Sequence, residues 1–400
     1  MGGNAMKWAS ALSVNADLDR AVDEIIESVR AEFEGSPPDL AVAFVSAEHS
    51  PASERLPGLL RKGLGGGIVL GCSAGGVIGG GREVEDSAAL SVTAATLPGV
   101  EIAPFHLTAG DLPAAGAAPA EWRRVMRVES ASDPQFILLP DPLSFPAEAL
   151  LEGLDAALPE SPKIGGLASG ASGDDENLLF VGAGTYRSGA VGVSLDGNVQ
   201  IDTVVAQGCR PIGDPVFVTA GEGNLIRSLD GRAPLEVMRE IYDGLAAADQ
   251  DLFRRSLFLG VVMTPGRSEY AQGDFLIRNL IGLEESTGSL VVGEDIREGM
   301  VIQMHLRDAR TSSNDLDALL AGYVDTQDDG RPPAGALLFS CMGRGAGLYG
   351  VAGHDSEAFA RHVGPLPIGG FFCNGEIGAV QGKTFLHGYT SSFGVFRPRS

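Results

Sequence analysis

Apolar and polar positions along this chain fall into short runs that recur in one order: an apolar strand, a polar loop, a helix, then an apolar segment entering a glycine turn. The order occurs three times, as LAVAFVSAEHS…GGIVLGCSAGGVIG, QFILLPDPLSF…KIGGLASGASG and GALLFSCMGRG…PIGGFFCNGEIG. With Gly71, Gly166 and Gly370 in register, the preceding strands around Phe44, Leu138 and Leu338 stand roughly thirty residues upstream, the span of one supersecondary unit. The pattern predicts an α/β or α+β fold: layered mixed sheets covered by helices and built from repeated strand-helix-strand-glycine-turn units. Function is expected where the loops of those units converge.

Between Asp17 and Phe33 the residues Leu18, Val22, Ile25, Ile26 and Val29 form a helical stripe, with Asn15 or Asp17 as N-cap. Leu40 to Val45 reads as a buried strand, Ser53 to Lys62 as a helix and Ile68 to Leu70 as a second strand. Ala88 to Leu97 and Glu101 to Leu107 flank Pro98-Gly99 and predict a hairpin. The Ala- and Pro-rich stretch Asp111 to Glu121 reads as a loop or linker. A strand at Phe136 to Leu139, a helix at Ala147 to Leu158 and a strand at Ile164 to Leu167 entering a Ser/Gly/Asp loop come next, followed by a strand pair at Leu178 to Val181 and Ala190 to Leu195. Val199 to Ala206 and Val216 to Ala220 flank QGCRPIG, Gln207 to Gly213, read as a loop. Leu225 to Gly231 marks a boundary, because Ala233-Pro234-Leu235 opens a helix through Leu245 with proline in its first turn. Beyond it, strands are expected at Leu257 to Met263, Phe275 to Leu280, Ser289 to Val292 and Met300 to Leu306. The resulting division is an N-terminal helix within 1–35, a first domain over 36–230 and a second over 231–398.

Composition narrows the function. At 400 residues with 44% hydrophobic and 20% charged content, the chain has core enough to need no staple. A formal net charge of −23, with no compensating Lys/Arg-rich stretch, sets nucleic acid and membrane surfaces aside as partners. The N-terminus lacks a basic start and apolar run, and no segment has the apolar length of a spanning helix, so a cytoplasmic location without membrane insertion is expected. Met6 stands where myristoylation needs Ser or Thr. The four cysteines form no CxxC and the six histidines no HxxxH, so neither a disulfide scaffold nor a metal site is expected.

The order of motifs resembles the FIST family, a two-part sensory module (FIST N followed by FIST C) of bacterial signalling proteins and some eukaryotic F-box proteins. The resemblance rests on AVAFVS, GCSAGGVIG and QGCRPIG in the first half. In the second it rests on GDFLIRNLIG, DIREGMVIQMHLRDA, FSCMGRG, GGFFCNGEIG and FLHGYTSSFGVFRP. It covers residues 36 to 398. It implies a domain that binds a small ligand, an amino acid or related metabolite, and passes occupancy to a separate signalling protein. It carries no established catalytic triad, and none is expected here. Some branches resemble haem-based gas sensors, which need only one axial His, so haem stays an alternative although no cofactor is predicted.

GCSAG, Gly71 to Gly75, fits the nucleophile elbow G-x-S-x-G, but Gly76 to Gly81 is too rich in glycine to form the helix that elbow needs. A hydrolase or transferase using Ser73 or Cys373 is therefore the alternative rather than the reading. GAGLYG fits G-x-G-x-x-G, yet Val351-Ala352-Gly353 stands between it and the helix expected near Asp355, so no dinucleotide is inferred. In Val301 to Arg307, alternation sets Gln303, His305 and Arg307 on one face, either the outer side of a half-exposed strand or the wall of a polar pocket. The resemblance favours the pocket. Arg344, flanked by glycines, is suited to hold a carboxylate bidentately, with a surface salt bridge as its plainer role. Asn374 and Glu376 occupy the equivalent turn, where Glu376 would receive an amine. Together these residues predict an amino-acid-like ligand held between the two halves. Cys341 and Cys373, at the ends of neighbouring strands, are a candidate redox pair, although buried cysteine more often serves as a small hydrophobe.

Overall fold

The computed structural model describes residues 5–129, 132–171, 176–284, 286–327 and 330–399. The Ser/Gly/Asp loop expected after Leu167 lies in part, at 172–175, outside the described residues. The chain forms two compact units. One comprises Met1–Val205, Asp317–Leu386 and Thr390–Ser400, the other Ala206–Leu316 with His387–Tyr389.

The larger unit holds three six-stranded mixed sheets of one design. Each has a parallel pair at its centre: Leu40–Ser46 with Ile68–Ala74, Gln135–Pro140 with Lys163–Gly166, and Gly335–Cys341 with Ile368–Cys373. Helices join the members of each pair, as parallel neighbours require. These strands are near-continuous apolar runs, the pattern of strands covered on both faces. On one face of the first sheet, Val22, Ile25 and Val29 of the helix Leu18–Glu32 and Leu56 and Leu60 of the helix Leu56–Leu64 pack on Ala41, Ala43 and Val45. Asp17 caps the first of these helices, its side chain accepting from Arg20 N. The other face meets the remaining two sheets in a shared core, where Phe44 stacks on Phe371 with ring centroids 4.5 Å apart and Ile137, Ile164 and Phe339 join the cluster.

The sheets are interlocked. After each parallel pair the chain forms a hairpin that completes a different sheet. Gly76–Gly79 and Arg82–Glu85 join the third sheet through Ile368–Cys373, Leu179–Val181 and Gly184–Tyr186 join the first, and Glu376–Val380 and Lys383–His387 join the second. One close approach recurs in all three pairs. A Cβ on Gly71, Gly165 or Gly370 would lie 1.9, 1.8 or 1.8 Å from the carbonyl oxygen of the neighbouring strand. The register of the second segment therefore rests on Gly165, not Gly166.

Several local expectations need correction. Leu90–Thr96 and Val100–Leu107 do not pair as a hairpin: the first lies between Lys7–Ser13 and Leu40–Ser46, the second on Ala190–Gly197. The burial explains the difference, because the first strand is buried almost throughout while the second is a half-exposed edge. The turn at Pro98-Gly99 carries the chain from one sheet to another. Leu179–Val181 and Ala190–Gly197 likewise belong to different sheets. The third edge strand, Gln200–Ala206, is followed in sequence by the smaller unit, and the chain returns through the helix Ala309–Asp325 to Gly335–Cys341.

The smaller unit is a closed six-stranded barrel, ordered Cys209–Glu222, Leu225–Leu229, Ser289–Val292, Phe275–Glu284, Leu257–Val262 and Val301–Arg307. Most of QGCRPIG is thus strand rather than loop, with the irregularity displaced to a register shift between Ile212 and Val216. The stretch Leu225 to Gly231 holds the barrel strand Leu225–Leu229. The core is made by Ile212, Val218, Leu259, Ile302, Met304 and Leu306, against which Met238 and Ile241 of the helix Pro234–Gly244 and Leu252 of the helix Ala247–Arg255 pack.

Candidate functional site

In the larger unit the points where each chain segment leaves its parallel pair for another sheet come together. Gly75 N donates to Ser169 Oγ at 3.0 Å, Ser169 Oγ donates to Phe372 O, and Asn374 N donates to Leu167 O at 3.1 Å. Ser73 donates to Asn177 Oδ1 at 3.4 Å and accepts from Leu178 N at 2.9 Å. Neither partner is a base, and the residues after Ser73 form a strand instead of the elbow's helix. The Ser73 turn is therefore built as a structural crossing.

Arg344 lies just beyond the strand Gly335–Cys341, where the chain turns into the short helix Gly345–Tyr349 and then the helix His354–His362. It is fully buried, not on the surface. Its Nε and Nη2 donate to Asp355 Oδ2 and Oδ1 at 2.9 and 3.1 Å, and Nη2 also donates to Tyr349 OH. Asp355 accepts further bonds from Ser340 Oγ, at 3.1 Å, and Ser391 Oγ, and His354 Nδ1 lies 3.1 Å away. The Tyr349 and His354 rings stack with centroids 3.5 Å apart. Burial alone would raise the Asp355 carboxyl, but the Arg344 guanidinium holds it well below the usual carboxylate range. The pair is thus charged and satisfied on nearly every side.

Two atoms break that satisfaction. Arg344 Nη1 is buried and has no hydrogen-bond partner. Glu83, from the hairpin strand Arg82–Glu85, accepts Ser356 N and Oγ on Oε1, each at 2.8 Å, while its buried Oε2 has no partner. Burial and the Asp355 charge push Glu83 up to about 7. Glu85 Oε1 accepts from Ala346 N at 2.9 Å, so a carboxylate already occupies the start of the helix that GAGLYG opens.

Glu376 is also fully buried. Its Oε2 accepts from Thr390 N and Oγ1 at 3.0 and 2.7 Å, and Cys373 Sγ lies 3.6 Å from Oε1. Burial raises Glu376 to about 7, against the lowering effect of the Thr390 bonds. Asn374 is exposed, and its Nδ2 donates to Ala168 O at 3.4 Å.

Gln303, His305 and Arg307 belong to the barrel unit, whereas Arg344, Asn374 and Glu376 belong to the other. The strand Val301–Arg307 is buried at every position rather than half exposed. Gln303 Nε2 donates to Gly213 O at 2.6 Å. His305 Nδ1 lies 3.1 Å from Gln303 O, and its ring packs edge-on against Phe275. Burial pushes His305 down to about 4. The Arg307 guanidinium stands over the Tyr389 ring, 5.1 Å from its centroid. Clefts of about 280, 420 and 400 Å³ lie in this unit, walled around Ile241, Leu283 and Phe217, and one of about 440 Å³ lies beside Trp8 in the larger unit. No histidine lines any of these four clefts. Among the described residues no group of three or more His, Cys, Asp or Glu side chains is placed to hold a metal.

Sequence reasoning found Arg344 from its flanking glycines but missed Asp355 and Glu83. Asp355 opens a polar helix, and its burial had no local signal. Glu83 sits in Arg82-Glu83-Val84-Glu85, where alternation places two acids on one face, and only the pairing of that hairpin with a distant strand buries one of them.

Three interlocked mixed sheets, an intervening barrel and a buried ion pair at the strand ends define a layered α/β protein without nucleophile-elbow or dinucleotide geometry. Comparison with known families is specific: the chain belongs to the FIST family, its residues 39–232 matching the FIST N domain and 234–379 the FIST C domain. FIST domains are sensory, signal-transduction domains. The FIST N and FIST C matches meet beside the barrel helix Pro234–Gly244, inside the smaller compact unit. An uncharacterized protein of Mycobacterium tuberculosis is 37% identical over 391 residues, covering 98% of this chain and all of that protein. One from Mycobacterium bovis is 35% identical over 391 residues, covering 98% of this chain and 99% of that protein. An F-box/LRR-repeat protein of Arabidopsis thaliana is 25% identical over 235 residues, 49% of this chain and 42% of its own length. No helix among the described residues is long and apolar enough to cross a membrane.

Proposed function

We propose that this protein is a cytoplasmic small-ligand sensor whose ligand is an amino acid or related metabolite, recognised at the Arg344 cluster. The observation that carries the reading is the pair of buried, unpartnered atoms, Arg344 Nη1 and Glu83 Oε2, within an otherwise satisfied network. A buried donor or acceptor without a partner costs about 1–3 kcal/mol, and a ligand supplying the missing partner recovers that energy on binding. A carboxylate oxygen suits Arg344 Nη1, and an ammonium suits Glu83 Oε2 in its ionised form. This reassigns the amine from Glu376, whose two oxygens already face Thr390 and Cys373, to Glu83. Occupancy would be passed to a separate signalling protein through the segment Gly345 to Gly353, whose Tyr349 hydroxyl accepts from Arg344.

The test is isothermal titration of the full chain with a panel of free amino acids. Binding of at least one is expected, weakened tenfold or more in Glu83→Gln and Arg344→Lys. Failure of the whole panel, or unchanged affinity in both variants, would overturn the reading. Two readouts address the alternatives: no Soret band is expected in the purified protein, and no ester turnover that disappears in Ser73→Ala or Cys373→Ala.

A further inference from the structure

Cys341 and Cys373 end adjacent parallel strands and stand opposite one another in register. Neighbouring strands run about 4.8 Å apart, and registered side chains project on the same side of the sheet. That spacing lies within the roughly 4.4–6.8 Å between Cα atoms that a disulfide spans. The two thiols differ in surroundings. Cys341 is half-buried, Gly343 N donates to its Sγ at 3.5 Å, and the Arg344 guanidinium is close enough to feel its charge. Cys373 is fully buried, its Sγ facing Ser340 O at 3.3 Å and Glu376 Oε1 at 3.6 Å. Gly166 leaves space against it, since a Cβ there would lie 2.9 Å from Cys373 Sγ.

We propose that Cys341 and Cys373 form a peroxide-reactive dithiol in which Cys341 is oxidised first and Cys373 then closes the disulfide. In the first step the Cys341 thiolate attacks one oxygen of hydrogen peroxide. An S–O bond forms, the O–O bond breaks, and the departing oxygen leaves as water with the proton given up by the thiol. Cys341 is then a sulfenic acid. In the second step the Cys373 side chain turns about χ1 from Ser340 O toward Cys341, and the Glu376 carboxylate takes its proton. The S–S bond forms as the S–O bond breaks, and the departing hydroxide recovers the proton from Glu376 as water. Two thiols give up one electron each, and one peroxide becomes two waters. Burial raises the Cys373 thiol well above its ordinary value, so it needs the adjacent base. Burial also keeps Glu376 near a carboxyl able to receive and return a proton at neutral pH. The chemistry needs no bound ligand and stands apart from the amino-acid reading.

The experiment treats the full chain with equimolar hydrogen peroxide, blocks remaining thiols and maps tryptic peptides without reduction. Arg344 and Arg361 separate the two cysteines in sequence, so they fall in different peptides. A linked pair containing Cys341 and Cys373 is expected in the wild type. Cys373→Ser should instead accumulate a dimedone adduct at Cys341, and Cys341→Ser should give neither link nor adduct. Glu376→Gln should slow closure at least severalfold while leaving the rate of dimedone labelling in the Cys373→Ser background unchanged. Wild-type Cys341 passing to sulfinic acid without a link, linkage through Cys72 or Cys209 instead, or no reaction at either cysteine would overturn the proposal.

Discussion

The Arg344 cluster and the Gln303-His305-Arg307 row both bury titratable groups, but they handle charge in opposite ways. Around Arg344, a cation and an anion neutralise one another, and further carboxyls nearby, Glu83 and Glu376, are held toward their protonated form. In the barrel row, burial discourages the imidazolium, and the carbonyl of Gln303 compensates only in part. Burial therefore favours the neutral form in both places and yields opposite responses to acid. The raised carboxyls bind protons more tightly in the folded state, so their contribution is fully present below about pH 4.5 and is lost as pH rises through about 7. The depressed histidine binds protons more weakly when folded, so its penalty is absent above about pH 6.5 and grows as pH falls toward 4.

The largest expected effect tests whether the Arg344 cluster is a true ion pair. Asp355→Ala strands a buried guanidinium and should cost about 3–5 kcal/mol, read from the urea midpoint. A loss below about 1 kcal/mol would mean that Arg344 is solvated and the contrast with the barrel is lost. Both tryptophans, Trp8 and Trp122, lie in the larger unit, so their fluorescence follows that unit alone. Next in size, Glu83→Gln should leave stability unchanged near pH 4 and raise it by about 2–3 kcal/mol near pH 8, flattening the decline between. An unaltered pH profile would show that Glu83 is not held protonated. In the barrel, His305→Gln should remove about 2 kcal/mol of the loss that develops between pH 6.5 and 4, followed by hydrogen exchange of the amides of Leu257–Val262. If the acid loss survives in that variant, the barrel response belongs to other groups.

Much of the layered architecture was legible because parallel strands buried on both faces must be apolar at successive positions, as in LAVAFVS and QFILLP. The helices were legible from their stripes and caps. Sheet membership was not. Leu97-Pro98-Gly99 has the chemistry of a tight turn whether the flanking strands pair with each other or part, and only long-range pairing decides between them. QGCRPIG read as a loop because Pro211 and Gly213 disfavour regular ladders, yet a register shift accommodates them within a barrel strand. At the site, Arg344 announced itself through its neighbours in sequence. Its counter-ion Asp355 did not, because it opens a polar helix whose burial has no local signal, and Glu83 did not, because it meets Ser356 only after one sheet borrows a hairpin from another.

That borrowing also constrains how the chain can fold as it emerges from the ribosome. The first sheet cannot be completed until the hairpin ending at Tyr186 has been synthesised. The second waits for Lys383–His387, although its central strands were made more than two hundred residues earlier. The third needs Ser391–Arg397 on Gly335–Cys341 as well as the much earlier hairpin, whose strand Gly76–Gly79 pairs with Ile368–Cys373. Two of the three sheets must therefore wait, with unpaired strand edges, for the strands between Glu376 and Arg397, and a nascent chain stalled short of them is expected to depend on chaperones.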